Sequence, residues 1–418
     1  MAIRLGVIAD DFTGATDIAS FMAQSGWRVI QLNGIPQHAL DVSAADAVVI
    51  SLKSRSCPAD TAIALSLQAA QWLQARGCQR LYFKYCSTFD STPAGNIGPV
   101  TDSLLNLTGA PLAVLCPALP VNGRTVVQGH LFVNGQLLNE SGMQNHPLTP
   151  MTDANLLRVM AQQSQGACGL VSLDCVHEGV SSVRRTLQQL QQQGKRYAVL
   201  DAMTHSDLAI LAEAIPGDAL LTGGSGLAGA IAALSPAVDR AAENIKPSPQ
   251  GASVVLAGSC SGMTNRQVAS YRQRAPARII DVERALHDSA RYVEDLIAWF
   301  QAQPAGLAPM IYATRPADEV KAIQTRYGVE ASGTAVETLL AMLAEQLALL
   351  GVNKFIVAGG ETSSLLVQRL AIAGFAIGDT IAPGVPWVKE IQRDLWLALK
   401  SGNFGDETFF FKAQEFFS

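Results

Sequence analysis

Residues 6–17 read Gly-Val-Ile-Ala-Asp-Asp-Phe-Thr-Gly-Ala-Thr-Asp, and this stretch decides how the first half of the chain is interpreted. The apolar run Leu5 to Ala9 predicts a buried β-strand, and the glycine at position 14 predicts a turn into a helix. Two carboxylates, Asp10 and Asp11, stand where the strand ends. Because ligands of α/β proteins bind at the carboxyl ends of strands, both side chains are candidate site residues.

Adjacent residues of a strand point to opposite faces, but a turn at its end can bring both carboxylates to one side. One could then accept a proton from a substrate hydroxyl while the other binds hydroxyls or a metal ion. Alternatively, one aspartate caps the helix that follows. A single cap does not account for two aspartates, so Asp10 and Asp11 are the predicted catalytic residues.

Short β-branched runs alternate with amphipathic or Ala/Leu-rich segments along the chain. This alternation is the pattern expected of a mostly parallel sheet flanked by helices. We therefore predict an α/β fold. In the first half, strands are predicted at 5–9, 47–52, 81–85, 112–116, 197–200 and 219–222, and helices at 60–75 and 181–193. In the second half, strands are predicted at 253–257, 309–313 and 354–358, and helices near 264–274, at 334–350 and from about 362.

One segment, residues 121–138, interrupts this alternation with two Asn-Gly turns that flank a strand-like run, Gly129 to Val133. It predicts an antiparallel hairpin at the sheet edge or over the site. Residues 139–153 are polar and contain two prolines, which predicts a loop or lid.

A chain of 418 residues, 49% of them apolar, is too long for one typical domain. The best linker is 245–251, since its two prolines exclude a helix or sheet interior. We predict two domains, 1–244 and 252–418, each with a mostly parallel sheet flanked by helices, and an active site in the cleft between them.

Composition excludes several functional classes. A net charge of −5 without a dense Lys/Arg run predicts no nucleic-acid or membrane partner and favours a small-molecule substrate. Seven cysteines without a CxxC pair and six dispersed histidines argue against disulfides, zinc and other transition metals. Without a secretory signal or a long apolar segment, a cytoplasmic protein is expected. Homo-oligomerisation is left open.

Polar residues that could bind an acidic substrate follow the predicted strands of the first half. They are Arg55, Lys84, Asp90, Ser91 and Arg124, which offer cations and hydrogen-bonding groups for a carboxylate and hydroxyls. The alternative is a solvated loop around 84–92 and arginines that simply lie on the surface.

Glycine turns follow three predicted strands of the second half and suit phosphates, because glycine lets a phosphate approach the backbone and a helix N-terminus supplies N–H donors. The candidate nucleotide-binding residues are Ser259, Gly359, Gly360, Glu361, Thr362, Ser363, Gly402 and Asn403. None of these turns is the GxxxxGK[ST] or GxGxxG motif, so nucleotide binding does not follow from spacing alone. Glu361 suits a phosphate only if it binds ribose hydroxyls or a cation.

The motifs resemble those of the four-carbon acid sugar kinase family along essentially the whole chain. They are the opening Asp-Asp-Phe-Thr-Gly-Ala, Asp90-Ser91-Thr92 with Gly95-Asn96, Thr222-Gly223-Gly224-Ser225-Gly226, Gly359-Gly360-Glu361-Thr362 and Ser401-Gly402-Asn403-Phe404-Gly405. The segments 54–58, 83–90, 117–124 and 383–387 are most similar to the 3-oxo-tetronate kinase branch.

The resemblance implies a sugar-acid domain followed by a nucleotide domain, with ATP and Mg²⁺ as cofactors and phosphorylation of the 4-hydroxyl of a 3-oxo-tetronate. Ala94 departs from the family pattern, in which many relatives carry an arginine before the Gly-Asn pair, so Arg55 or Arg124 would bind the substrate carboxylate instead. The alternatives are a kinase for another four-carbon acid, such as erythronate or threonate, and a non-catalytic sugar-acid binding protein. The metal ligands are unknown at this stage.

Overall fold

The computed structural model describes residues 3–37, 40–89, 92–145, 150–235 and 246–417. The chain divides into two compact units, Met1–Ala242 and Glu243–Ser418. The predicted linker begins at residue 245, which lies outside the described residues. Residues 246–251 have no regular secondary structure and lead directly into the first strand of the second unit.

Unit 1 contains a parallel sheet in which neighbouring strands run in the same direction throughout, within the described residues. Its spatial order is β2-β3-β1-β4-β11-β5-β10-β9. The strands are β1 (Leu5–Ala9), β2 (Val29–Asn33), β3 (Ala47–Ser51), β4 (Leu81–Lys84), β5 (Ala113–Cys116), β9 (Cys168–Val171), β10 (Tyr197–Leu200) and β11 (Leu220–Gly223).

Helices separate most of these strands along the chain, as the alternating pattern predicts. They are α1 (Phe12–Gln24), α2 (Ala59–Gln74), α3 (Ile97–Thr108), α4 (Leu156–Gln163), α5 (Leu173–His177), α6 (Val180–Gln192), α7 (His205–Ala214) and α8 (Ser225–Leu234). Every residue of β1 and β3 is buried, which accounts for their apolar sequences, with Ser51 at the end of β3 as the one polar residue. The predicted mostly parallel sheet is confirmed.

A small antiparallel sheet follows β5 and consists of β6 (Arg124–Val127), β7 (His130–Val133) and β8 (Gln136–Leu137). The predicted hairpin is present, but Gly129 lies in its turn and not in a strand. Gln128 and Gly129 have φ angles of 48° and 69°, the left-handed pair of a two-residue hairpin turn. Asp201, which follows β10, fixes this turn by accepting hydrogen bonds from both backbone N–H groups.

Residues 138–145, at the start of the predicted loop, form two short 3₁₀ helices, Leu138–Glu140 and Gly142–Asn145. The next residues, 146–149, lie outside the described part of the chain. A third 3₁₀ helix, Pro120–Asn122, precedes β6.

Unit 2 has five parallel strands, in the order β13-β14-β12-β15-β18, and two antiparallel strands that continue the sheet as β17 and β16, within the described residues. Their bounds are β12 (Ala252–Ala257), β13 (Ala277–Ile279), β14 (Met310–Tyr312), β15 (Val352–Ala358), β16 (Gly374–Ala382), β17 (Val385–Glu390) and β18 (Trp396–Lys400). Strands β13, β16 and β17 were not among the predicted elements, and β18 was expected only as the strand before the Gly402 turn.

The helices of unit 2 are α9 (Gly262–Tyr271), α10 (Val282–His287), α11 (Ser289–Gln301), α12 (Ala317–Tyr327), α13 (Val329–Leu349), α14 (Gly360–Arg369) and α15 (Phe409–Glu415). An aromatic cluster built from β17, α9 and α15 closes part of its core, with Trp387, Tyr271 and Phe409 fully buried. Among the described residues, every helix is too short or too polar to span a bilayer.

Candidate active site

The candidate site of unit 1 lies at the carboxyl ends of β1, β3 and β4. Strand β1 lies between β3 and β4 in the sheet. After β1 the chain forms β2 and β3 on one side of it and then crosses to form β4 on the other side. Such a reversal opens a crevice at the carboxyl ends of the strands, where ligands of open α/β sheets bind. Asp10 follows β1 and Lys84 ends β4, so the topology brings these two predicted residues to the same point.

Arg55 joins the two aspartates. Its Nε and Nη2 donate to Asp10 Oδ2 and Oδ1 at 3.0 and 2.7 Å, and Nη2 also donates to Asp11 Oδ1 at 2.7 Å. Backbone N–H groups of Ser54 and Arg55 donate to the carbonyl of Asp10, which fixes the loop that carries the arginine. The turn therefore does bring both carboxylates to one side. Arg55 was predicted to bind substrate, but its Nε and Nη2 are bonded to these two aspartates.

Asp11 also caps helix α1. Its Oδ1 accepts from Gly14 N at 2.9 Å, and its Oδ2 accepts from the Thr13 hydroxyl at 2.8 Å. A side chain at position 14 would place its Cβ 2.3 Å from Asp11 Oδ1 and 3.0 Å from Lys84 Nζ. Glycine is thus required for this charged cluster to close. The capping alternative holds for Asp11, in addition to its place beside Arg55.

The two aspartates differ in charge environment. Burial raises the pKa of Asp10, whose bonds to Arg55 offset the effect only in part. Burial opposes ionisation of Asp11 as well, but Arg55, Lys84 and the bonds from Thr13 and Gly14 outweigh it, so the pKa of Asp11 lies below its ordinary value of 3.8. The Asp11 side chain is 25% exposed against 8% for Asp10. Asp11 is therefore the carboxylate with the lower pKa and the more accessible of the two.

A third carboxylate, Asp17, belongs to the same cluster, although the sequence did not single it out. It lies in α1, and the hydroxyl of Ser225, at the start of α8, donates to its Oδ2. Burial raises the pKa of Asp17, while the charges of Lys84 and Arg124 lower it in part. Its Oδ1 is buried and has no hydrogen-bond partner among the described residues.

Lys84 and Arg124 supply the remaining positive charge. Lys84 is 3% exposed, and its Nζ donates to the carbonyl of Tyr85 at 2.8 Å. Arg124 begins β6, and its guanidinium donates to the carbonyl of Asn122. The Arg124 Nε is buried without a partner in the described part of the chain, so this side chain retains a donor.

Asn96 organises the loop that carries Arg55. Its amide nitrogen donates to the carbonyls of Ser54, Arg55 and Cys57 at 2.8, 3.2 and 2.9 Å. Asn96 belongs to the Gly95-Asn96 pair of the family motif, and these bonds give it a role in holding the loop. The predicted residues Asp90 and Ser91 lie outside the described residues.

The candidate site of unit 2 lies where three glycine turns meet. Ser259 follows β12, Gly359 follows β15 and Gly402 follows β18, and these strands are neighbours in the sheet. The turns are bonded to one another, since Ser259 N donates to Ala358 O at 3.1 Å and Gly359 N donates to Lys400 O at 2.9 Å. A Cβ at Gly402 would stand 2.6 Å from Ser259 Oγ.

Helix α14 begins at this meeting point with an uncapped N-terminus. Its N-cap Gly359 has φ 135° and no side chain to bond the first-turn N–H groups, which are therefore available to an anion. Ser363 Oγ, in the same turn, is buried and has no partner among the described residues. By contrast, α9 is capped by Ser261, whose hydroxyl accepts from Thr264 N. Asn403 is exposed in the turn after Gly402.

Glu361 is the acidic residue in the first turn of α14. Burial and the charge of Glu361 raise the pKa of Glu337, which lies on α13. Two carboxylates that repel one another favour a cation in their vicinity. In the described part of the chain, no three His, Cys, Asp or Glu residues form a group that could hold a metal ion.

Comparisons with known proteins match both halves of the chain. Residues 5–231 match the family described as the sugar-binding N-terminal domain, and residues 254–410 match the nucleotide-binding C-terminal domain. A 3-oxo-tetronate kinase of Brucella melitensis is 55% identical over 418 residues, which cover 99% of this chain and 95% of the relative. Another from Pectobacterium atrosepticum is 55% identical over 424 residues and the full length of both chains.

This chain belongs to the 3-oxo-tetronate kinase family. It is an enzyme of the kinase class, as the family resemblance of its motifs implies. Two crystal structures share its fold over 99% of this chain and the whole of theirs. A Salmonella typhimurium LT2 protein has 52% identity and a TM-score of 0.95, and a Haemophilus influenzae protein has 53% identity and a TM-score of 0.88.

Proposed function

We propose that this kinase transfers the γ-phosphoryl group of ATP to the 4-hydroxyl of a 3-oxo-tetronate, giving 3-oxo-tetronate 4-phosphate. The observation that carries the proposal is the full-length similarity to several proteins named 3-oxo-tetronate kinase, at 48–55% identity. The residues of the two candidate sites support it, because one is rich in charged side chains and the other contains an uncapped helix N-terminus.

Unit 1 is proposed to bind the sugar acid. A four-carbon keto acid carries one carboxylate, one keto oxygen and two hydroxyls, so it requires cations and hydrogen-bond acceptors together. Arg124 retains a buried donor, and Lys84 adds an ammonium group held against α1. Asp90 and Ser91 stay predicted substrate contacts from the sequence. Asp10 binds Arg55 through both oxygens, and this pair serves to hold the arginine beside Asp11.

Asp11 is proposed to orient the acceptor hydroxyl and to accept its proton. Its low pKa makes it a weak base, which suits this reaction because the transition state of phosphoryl transfer is loose and the hydroxyl loses its proton late. Positioning and charge neutralisation then account for most of the rate enhancement. The neighbouring Arg55 keeps the Asp11 carboxylate in a single orientation.

Unit 2 is proposed to bind ATP. The turns at Ser259, Gly359–Ser363 and Gly402 with Asn403 would place backbone N–H groups and hydroxyls around the phosphates, and the α14 N-terminus adds its positive dipole. Mg²⁺ in proteins is commonly held by one or two carboxylates together with substrate phosphates. Glu361 is the carboxylate that would hold it here, and the ion would neutralise charge on the phosphates.

The test is ADP release by the purified protein with Mg-ATP, measured by coupling to NADH oxidation, across a panel of four-carbon acids. Turnover restricted to 3-oxo-tetronates is expected. Turnover only with erythronate or threonate would retain the kinase and replace the acceptor. No turnover, together with calorimetric binding of a sugar acid but not of ATP, would establish a non-catalytic binding protein instead.

A further inference from the structure

Lys400 is a fully buried lysine at the end of β18, in the middle of the glycine turns of unit 2. It is 0% exposed. Its Nζ donates to the carbonyl of Gly402 at 2.9 Å and to Thr264 Oγ1 at 3.1 Å. Thr264 in turn donates to the same Gly402 carbonyl at 2.8 Å. The ammonium group therefore stands directly behind the Gly402 turn.

This small network connects the ends of two strands. The hydroxyl of Ser261 contacts Thr264 Oγ1 at 3.1 Å, and Ser259 Oγ accepts from Ser261 N at 3.2 Å. Lys400 thus holds Gly402, which follows β18, against the turn that follows β12. A change in its side chain would release both sides of the proposed phosphate site.

Within the described residues, no carboxylate forms an ion pair with Lys400. It is surrounded by the Thr264 hydroxyl from α9, the carbonyl of Gly402 in its own turn and the Phe409 ring from α15, whose centroid is 6.0 Å from Nζ. Burial alone lowers the pKa of Lys400 from 10.5 to about 7, since no charged side chain contributes. An unpaired buried ammonium is costly unless an anion binds nearby.

A second buried lysine shows what a purely structural role looks like. Lys354, in β15, is 1% exposed, and its Nζ donates to the carbonyls of Ser248, Gln250 and Gly251. These carbonyls precede β12, at the opposite end of the strands from the glycine turns. Lys354 therefore offers a matched control within the same unit.

We propose that Lys400 is a positioning residue for nucleotide phosphates, which fastens the Gly402 turn and becomes protonated when the phosphate anion binds in front of it. This inference rests on the proposed binding of ATP by unit 2. It adds a residue that acts through Gly402 and Thr264, together with a proton that the free enzyme takes up on binding.

The experiment is titration calorimetry of Mg-ATP binding, without sugar acid, in buffers of different ionisation enthalpy at about pH 8. At this pH Lys400 is mostly neutral in the free enzyme, and a nearby phosphate raises its pKa, so uptake of about 0.5 proton or more is expected. Lys400→Met should abolish the uptake and weaken ATP binding about tenfold or more. Lys354→Met should retain the uptake.

Further readouts separate a positioning role from a loss of folding. Lys400→Arg carries a permanent charge, so it should bind ATP without taking up a proton. For Lys400→Met, the KM for ATP should rise while the KM for the sugar acid stays unchanged. If the variants do not fold, the wild-type uptake decides alone, because it should vanish below about pH 6, where Lys400 is already protonated.

The outcomes are distinguishable. No ATP binding by the wild-type enzyme would refute the proposed function itself. ATP binding without proton uptake, or uptake that persists in Lys400→Met, would overturn the role of Lys400 and leave the kinase proposal intact.

Discussion

Replacement of Gly14 by alanine should lower both the activity and the stability of the enzyme. The added Cβ would stand 2.3 Å from Asp11 Oδ1 and 3.0 Å from Lys84 Nζ, so the Asp11 side chain must rotate away. Asp11 then loses its bond to Gly14 N, at a cost of about 1 kcal/mol for a helix cap. Alanine in place of glycine within a helix returns about 1 kcal/mol. The Arg55 bond to Asp11 Oδ1 is lost as well, and a hydrogen bond to a charged group contributes about 1.5 kcal/mol or more, so the free energy of unfolding should fall by about 2 kcal/mol.

Catalysis should fall too, because the carboxylate that orients the acceptor hydroxyl has moved. A displacement of about 1 Å at a reacting group can lower the rate about 10²-fold, and we expect a fall in kcat of that order. The assay is ADP release with Mg-ATP and a 3-oxo-tetronate, alongside urea denaturation of the same preparation. Gly333→Ala is the control, since this α13 glycine has open space around its Cβ position and should retain full activity. A Gly14→Ala enzyme with near-normal kcat would refute the reasoning.

Three other substitutions test separate parts of the two sites. Asp11→Asn should lower kcat about 10²-fold or more with little change in substrate binding, as measured by steady-state kinetics. The folded-state pKa of Asp11 lies below 3.8, so the stability that its ionised form contributes is present above pH 3.8 and is lost as the pH falls through the folded pKa. The difference in unfolding free energy between wild type and Asp11→Asn should therefore shrink on acidification. Arg55→Met leaves two neighbouring carboxylates without their cation and should destabilise the fold by about 3 kcal/mol. This loss of stability should be smaller at low pH, where the carboxylates are protonated. An unchanged denaturation midpoint would contradict the prediction. Gly402→Ala should raise the KM for ATP severalfold, since its Cβ would stand 2.6 Å from Ser259 Oγ, and an unaltered KM would remove that turn from the nucleotide site.

Local sequence patterns predicted the elements that carry the candidate sites. Strand β1 coincides with the predicted run Leu5 to Ala9, because both faces of a central parallel strand are buried and its residues are uniformly apolar. The glycine turns at Gly359 and Gly402 were visible for a similar reason, as each follows a strand directly. By contrast, β16 and β17 contain a proline, glycines and charged residues, and their pairing across the sheet decides their structure.

The two residues that the sequence did not single out depend on long-range contacts. Asp17 lies inside a helix, where an acidic residue usually faces water, and its partner Ser225 is 208 positions away. Lys400 precedes a turn and resembles any lysine at a strand end until Thr264, 136 positions earlier, meets its ammonium group. Hydrophobic periodicity carries no information about such pairs, since it reports only which face of an element is buried.

The three hydrogen bonds from Asn96 to the loop of Ser54, Arg55 and Cys57 bear on how this enzyme could be re-engineered. All three are made to backbone carbonyls, so they depend on the path and length of the loop and not on its side chains. A library that randomises the exposed positions Lys53 and Ser56 should retain a high proportion of folded, active members. A single inserted or deleted residue would shift the carbonyls out of register and separate Arg55 from both aspartates.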